Sequence, residues 1–195
     1  MFIVFEGIDG TGKSTQAKLL SDWLTQKGIK HILTREPGGC PSAEDIRKLV
    51  LEKCFLPATD LLLMIAARNE HWHNTIKPAL ERQEWVICDR YIDSTRIYQG
   101  CLADIPQHVI DTIHDLLSLS VKPDHVFILT LDINKAMERI HVRLKKDRYD
   151  HFDRAYYKKL HDGFESLGNK GARYHLIDAS RHIDEVHDDI LRYLA

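Results

Sequence analysis

The sequence contains no apolar run near the ~20 consecutive residues of a membrane-spanning helix, which argues against a spanning protein. It also lacks a strong excess of either charge. With 27 basic and 29 acidic residues the formal net charge is −2, so neither a nucleic acid nor an anionic membrane surface is expected as a partner. Its four cysteines, Cys40, Cys54, Cys88 and Cys101, stand far apart with no C-x-x-C pair. This excludes a zinc ribbon and reads as reduced thiols in a cytoplasmic protein rather than a disulfide frame. No low-complexity linker or internal repeat interrupts the 195 residues, which implies one domain over 1–195 with room for a substantial core. Histidine is plentiful but scattered. The close pair in His71-Trp72-His73 has a spacing of two, wrong for one helical face, and is expected to be exposed rather than metal-binding.

What is present is an alternation of short apolar runs and helical patterns. Phe2–Phe5, Ile32–Thr34, Trp85–Cys88, Val126–Leu131 and Tyr174–Ile177 read as strands buried on both faces. Phe2–Phe5 runs directly into a glycine loop, which is not the pattern of a signal peptide. Ala17, Leu20 and Leu24 repeat at helical spacing, and Gly28 ends that helix. Pro106 opens another, with Val109, Ile110, Ile113, Leu116 and Leu117 expected on its inner side. Ile183, Val186, Ile190 and Leu194 form a last apolar stripe. Such alternation predicts an α/β fold, a parallel sheet wrapped by helices, with ligands at the carboxyl ends of the strands.

The loop in question is Gly7-Ile8-Asp9-Gly10-Thr11-Gly12-Lys13-Ser14-Thr15. It matches G-x4-G-K-[ST] and lies between a predicted strand and a predicted helix, as a phosphate-binding P-loop must. Glycines let backbone N–H groups turn in around an anion, and the helix start adds a positive dipole end. In such loops the lysine meets the β- and γ-phosphates of ATP and the serine ligates Mg²⁺, the roles expected of Lys13 and Ser14. A guanine-specific GTPase would need N-K-x-D, and Asn134-Lys135-Ala136-Met137 lacks the aspartate. A helicase or transport ATPase would bring an Asp-Glu pair after a strand, whereas Trp85–Cys88 is followed by Asp89-Arg90. Asp9 is the odd letter. A carboxylate repels phosphate, so it either shapes a turn before Gly10 or serves a sugar hydroxyl or Mg²⁺ beside the loop.

Three further stretches carry a family resemblance: Thr34-Arg35-Glu36-Pro37-Gly38-Gly39, Ala66-Ala67-Arg68, and Asp89-Arg90-Tyr91-Ile92-Asp93-Ser94-Thr95 running on to Tyr98-Gln99-Gly100. With the P-loop and Ile76-Lys77-Pro78-Ala79-Leu80, they closely resemble the thymidylate kinases of bacterial type. The match continues more loosely through Asp147-Arg148, Gly163-Phe164 and Ile177-Asp178-Ala179. The resemblance implies the nucleoside monophosphate kinase fold, a five-stranded parallel sheet flanked by helices with a short mobile lid near 139–153. It implies transfer of the γ-phosphoryl of ATP to dTMP with Mg²⁺, a step toward dTTP for DNA replication. It also implies a cytoplasmic homodimer.

Residue roles follow from the same resemblance. Asp9 would bond the 3′-hydroxyl of the acceptor sugar and lie near the metal. Arg35 is a candidate clamp on the dTMP phosphate, and Glu36 is positioned to orient Arg35 or a metal-bound water. Arg68 would meet the thymine edge. Met64 stands where the family commonly has a stacking phenylalanine, which weakens or moves that contact. Arg90 would bridge donor and acceptor phosphates, and Asp89 would hold Mg²⁺ through water. Ser94 and Thr95 would bond a base edge or else serve in the core or as caps. Tyr98 would crowd the sugar 2′ position, and Gln99 offers the base both an acceptor and a donor. Arg139, Arg143 and Arg148 belong to the lid candidate, the last two as transfer-stabilising arginines. Ala179 and Ser180 would flank the adenine. The competing readings are a kinase for another acceptor, such as dUMP, and a regulatory nucleotide-binding module without turnover.

Overall fold

The computed structural model describes residues 1–142 and 153–194. Five strands, β1 (Phe2–Glu6), β2 (His31–Arg35), β3 (Trp85–Asp89), β4 (His125–Thr130) and β5 (Tyr174–Asp178), form one parallel sheet in the order β2-β3-β1-β4-β5. Every ladder is parallel, with Ile3 opposite Ile87 on one side of β1 and His125 on the other. Hydrogen bonds on both flanks explain why all five residues of β1 are buried. The expectation of two buried faces fails for β2 and β5. They are the edges of the sheet, half-buried to exposed along most of their length, with Leu33 and Leu176 exposed.

Alternate residues of β1 point into two separate cores. Ile3 and Phe5 join Ala17, Leu20 and Leu24 of α1 (Lys13–Gln26) and Val186 and Ile190 of α9 (Ile183–Leu191). Gly28, at φ 69°, ends α1 with Ile29 N–H donating to the Leu24 carbonyl. Phe2 and Val4 face the larger core, fed by α3 (Pro57–His71), α6 (Gln107–Leu116), α7 (Ile133–His141) and α8 (Arg154–Leu167). Proline stands at the first position of both α2 (Pro41–Glu52) and α3, where its missing N–H costs no helical bond. Two short helices, α4 (Lys77–Glu81) and α5 (Ile92–Thr95), and π-helical turns at Trp72–Ile76 and Arg96–Leu102 complete the described elements.

Two helical stripes differ from expectation. Leu116 and Leu117 are exposed, because α6 ends there and Ser118, at φ 55°, turns the chain so that Leu119 enters the core instead. His114, fully buried, takes the inward position. In α9 the apolar stripe begins at Val186. Ile183, at the first helical position, is 41% exposed, and Leu194 packs against the core from beyond the helix end.

Candidate active site

The carboxyl ends of β1, β2 and β3 open into three loops around one cleft of about 270 Å³. The loop after β1 depends on glycine at two points. A Cβ on Gly7 (φ 132°) would lie 2.5 Å from the Leu129 carbonyl oxygen, and one on Gly10 (φ 83°) 2.4 Å from that of Ala136. Both obstacles are backbone and cannot move aside, and both φ values disfavour any other residue. Thr11 closes the loop by donating to the Ile8 carbonyl, 2.9 Å. The first turn of α1 carries no side-chain cap and no acidic residue, so its N–H groups are left for an anion.

Lys13 is buried, 5% exposed, and donates to the Ile8 carbonyl at 2.8 Å. Burial and then the charge of Arg90 lower its pKa to about 8, a value that an arriving phosphate would raise again. Ser14 Oγ donates to Asp89 Oδ2 at 2.5 Å, while the buried Asp89 Oδ1 finds no hydrogen-bond partner among the described residues. Gly12, Thr15 and Gly10 line the cleft beside them, whereas Gly7, Ile8 and Thr11 shape the loop from behind.

Arg90 follows β3 at φ 72°, a left-handed conformation uncommon outside glycine. That turn sends its guanidinium back across the mouth of the loop. It donates to the Gly7 carbonyl (3.0 Å), Ser94 Oγ (3.1 Å) and Asp9 Oδ1 (2.7 Å). Burial opposes its charge, but Asp9 and other nearby acids outweigh that and push its pKa up. The turn is pinned by Glu6, fully buried at the end of β1. Its carboxylate accepts from Tyr91 N–H (2.8 Å), Ser94 N–H (3.1 Å) and Ser94 Oγ (2.6 Å), and burial raises its pKa to about 7. Sequence reading passed over Glu6, because its partners lie 85 and 88 residues away.

This arrangement gives Asp9 a place. Its carboxylate faces Arg90 and lies 3.7 Å from Lys13 Nζ, so it balances two cations gathered for phosphate. Tyr98 brings its hydroxyl within 3.4 Å of Asp9 Oδ2, with Arg90 over its ring at 5.3 Å. The two residues expected at the acceptor sugar are therefore neighbours.

Asp60, Met64 and Arg68 recur at i, i+4 and i+8 along one face of α3, and Met64 and Arg68 line the cleft. Arg68 is 3% exposed and sits at the centre of a buried network. It donates to Glu36 Oε2 (2.6 Å), Thr95 Oγ1 (2.9 Å) and His114 Nε2 (2.8 Å), and packs over Tyr91. His114 Nδ1 donates to the Ile110 carbonyl at 2.7 Å, which leaves Nε2 as acceptor and the ring neutral. Burial and Arg68 lower its pKa to about 4. Burial pushes Glu36 up, but Arg68 and the hydrogen bond from His71 outweigh it and the net shift is downward. His71, fully buried, joins Glu36 Oε1 (3.0 Å) to Thr34 Oγ1 (2.7 Å).

Two expectations are corrected here. His71 is a core residue of the polar network, not an exposed one, while His73 is exposed. Glu36 orients Arg68 rather than Arg35. Arg35, 55% exposed, pairs instead with Glu44 of α2 at 3.0 Å. Even so, every residue expected at the acceptor nucleotide lines the cleft: Asp9, Arg35, Glu36, Met64, Arg68, Arg90, Ser94, Thr95, Tyr98 and Gln99. Arg47, which donates to the Pro37 carbonyl at 2.7 Å, lines it too and was missed, since a lone arginine on a helix carries no local signal. Arg139 of α7 donates to the Gly10 carbonyl at 3.2 Å. Ala179 and Ser180 follow β5 outside the lining of this cleft. Arg143, Arg148 and most of the lid candidate lie outside the described residues.

Comparison with known proteins bears on this geometry. Residues 5–190 match the profile of the family described as thymidylate kinase. The chain is 38% identical over 196 residues to a thymidylate kinase of Symbiobacterium thermophilum, covering 98% of this chain and 91% of that protein. It is 40% identical over 195 residues to one from Ruegeria pomeroyi, covering 97% and 92%. The crystal structure of thymidylate kinase from Ehrlichia chaffeensis superposes with a TM-score of 0.79 at 36% identity, covering 100% of this chain and 98% of that one.

Proposed function

Because the chain belongs to the thymidylate kinase family, we propose that the cleft described above holds ATP and dTMP end to end and that the residues lining it divide the work of the transfer. The protein is an ATP-dependent nucleoside monophosphate kinase that converts dTMP to dTDP, a step toward dTTP. The observation that carries the residue assignment is the position of Arg90, spanning the P-loop mouth between Gly7, Asp9 and Ser94. A guanidinium there neutralises donor and acceptor phosphates together, without which two polyanions do not approach.

Lys13 and the uncapped first turn of α1 hold the donor phosphates. Arg35 and Arg47 hold the phosphate of dTMP. Asp9 accepts from the 3′-hydroxyl, and Tyr98 beside it excludes a 2′-hydroxyl. Arg68 and Gln99 read the base, with Met64 against its face. The dTMP phosphate is itself the nucleophile near neutral pH, so the chain supplies alignment and charge rather than a general base. Ser14 and Asp89 fit Mg²⁺: both offer hard oxygen donors, and Asp89 Oδ1 is buried without a partner among the described residues. The ion, when bound, supplies further neutralisation of the transferring phosphates. One kinase domain over 1–195, a closing lid near 139–153, transfer-stabilising roles for Arg143 and Arg148, a cytoplasmic setting and a homodimer complete the reading. Among the described residues, no helix is long and apolar enough to cross a membrane.

The test is ADP release with Mg·ATP and, in parallel, dTMP, dUMP, ribothymidine monophosphate, dCMP, AMP and thymidine. Fast turnover with dTMP and little with the ribonucleotide or thymidine is expected. Turnover with AMP or thymidine but not dTMP would overturn the acceptor assignment. Comparable turnover with dUMP would mean that a pocket built with Met64 does not read the thymine methyl.

A further inference from the structure

Gln99 has an ambiguous side chain. Its amide carries a donor at one corner and an acceptor at the other, and the base it selects depends on which corner faces the cleft. The fold resolves the ambiguity. Gln99 is 3% exposed, and its Nε2 donates to Asp60 Oδ2 at 2.9 Å. Asp60 is itself 8% exposed and sits one turn before Met64 on the face of α3 that also carries Arg68. Asp60 Oδ2 accepts from this NH₂, which leaves Gln99 Oε1 for the cleft that Gln99 lines. Two cross-links thus join α3 to the segment behind Arg90: Asp60 to Gln99, and Arg68 to Thr95. Together they present an acceptor from Gln99 beside a donor from Arg68.

We infer that Asp60 is a positioning residue for base selection: by fixing the amide of Gln99 it commits the pocket to bases that donate at N3 and accept at O4. Thymine and uracil offer that pattern. Cytosine offers the reverse, an acceptor at N3 and donors at N4, and would leave Gln99 Oε1 and Arg68 facing like groups in a buried site. Asp60 itself does not line the cleft. The inference rests on the reading above that Gln99 meets the base.

The experiment compares kcat/KM for dTMP, dUMP and 5-methyl-dCMP in the wild type, Asp60→Asn and Gln99→Ala. The 5-methyl-dCMP probe keeps the methyl group and inverts only the hydrogen-bonding edge. Asparagine at position 60 can donate as well as accept, which frees the Gln99 amide to flip. The preference for dTMP over 5-methyl-dCMP is expected to fall at least ~10-fold, mostly through KM, with the dTMP to dUMP ratio unchanged. A ratio that stays at the wild-type value, or an equal loss with all three substrates, overturns the inference. If Asp60→Asn does not fold, Asp60→Ser, smaller and also able to donate, gives the same readout. Gln99→Ala separates the two levels: it is expected to raise KM for dTMP at least ~10-fold. No rise would overturn the base contact itself, whereas a rise together with an unchanged Asp60→Asn ratio would overturn only the positioning role.

Discussion

Replacing Arg68 by methionine tests the buried network most directly. Methionine keeps much of the length and packing of arginine and removes the charge. The pair it breaks is short and dry: Arg68 Nε to Glu36 Oε2 is 2.6 Å, with the two side chains 4% and 3% exposed. Removing one partner of such a pair strands the other as a buried charge, at a typical cost of 3–5 kcal/mol. Thr95 and His114 lose a donor in the same step. For a chain of this size, 1 kcal/mol moves the melting temperature by about 2–4 °C, so Arg68→Met should melt about 6–20 °C below the wild type. The double variant Arg68→Met, Glu36→Gln removes the stranded charge and should melt above Arg68→Met alone. Thermal denaturation of the wild type, both single variants and the double variant closes a cycle in which the pair shows as non-additivity. A single variant within about 2 °C of the wild type, or strictly additive losses, would refute the view that Arg68 and Glu36 stabilise the fold as a unit.

Further predictions concern the reaction and its pH dependence. Lys13→Ala and Arg90→Ala should each lose at least ~100-fold in kcat/KM, and steady-state rates near wild type for either would remove it from the transfer machinery. Asp9→Asn should raise KM for dTMP more than for ATP, and equal losses would point to a metal or structural role instead. His114 is held neutral, with a pKa near 4 against an ordinary 6.5, so its contribution is complete above 6.5 and is lost as pH falls toward 4. Glu6 has the opposite sign: its pKa is raised to about 7, so protonation relieves a penalty as pH falls from 7 toward 4.5. The melting temperature of His114→Gln should therefore rise, relative to wild type, on going from pH 7 to 5, and that of Glu6→Gln should fall. Identical profiles for all three proteins would contradict both assignments.

The elements governed by local rules were legible in the sequence. The five strands stand where the apolar runs predict them to within a residue or two, and the P-loop could be read because Gly7, Gly12, Lys13 and Ser14 keep a fixed spacing between a strand and a helix, with both glycines at positive φ. Most cleft residues from Asp9 to Gln99 were also legible, because their spacing in short motifs carries the family pattern, whereas Arg47 stands outside any such motif. What tertiary structure decided was partnership and exposure. Glu36 follows Arg35 in the chain yet pairs with Arg68, 32 residues on, and with His71, 35 residues on. Glu6, His114 and Asp60 acquire their places only when β1, α6 and α3 pack around the segment after β3. The edge positions of β2 and β5 follow from the strand order, which no single run of residues encodes, and Leu116 is left outside where α6 ends and the chain turns at Ser118 to bury Leu119 instead. Local sequence dictates backbone geometry through sterics and hydrogen bonding between near neighbours. A buried charge finds its partner only when distant segments are brought into one low-dielectric interior, where leaving it unpaired costs more than the pairing gains.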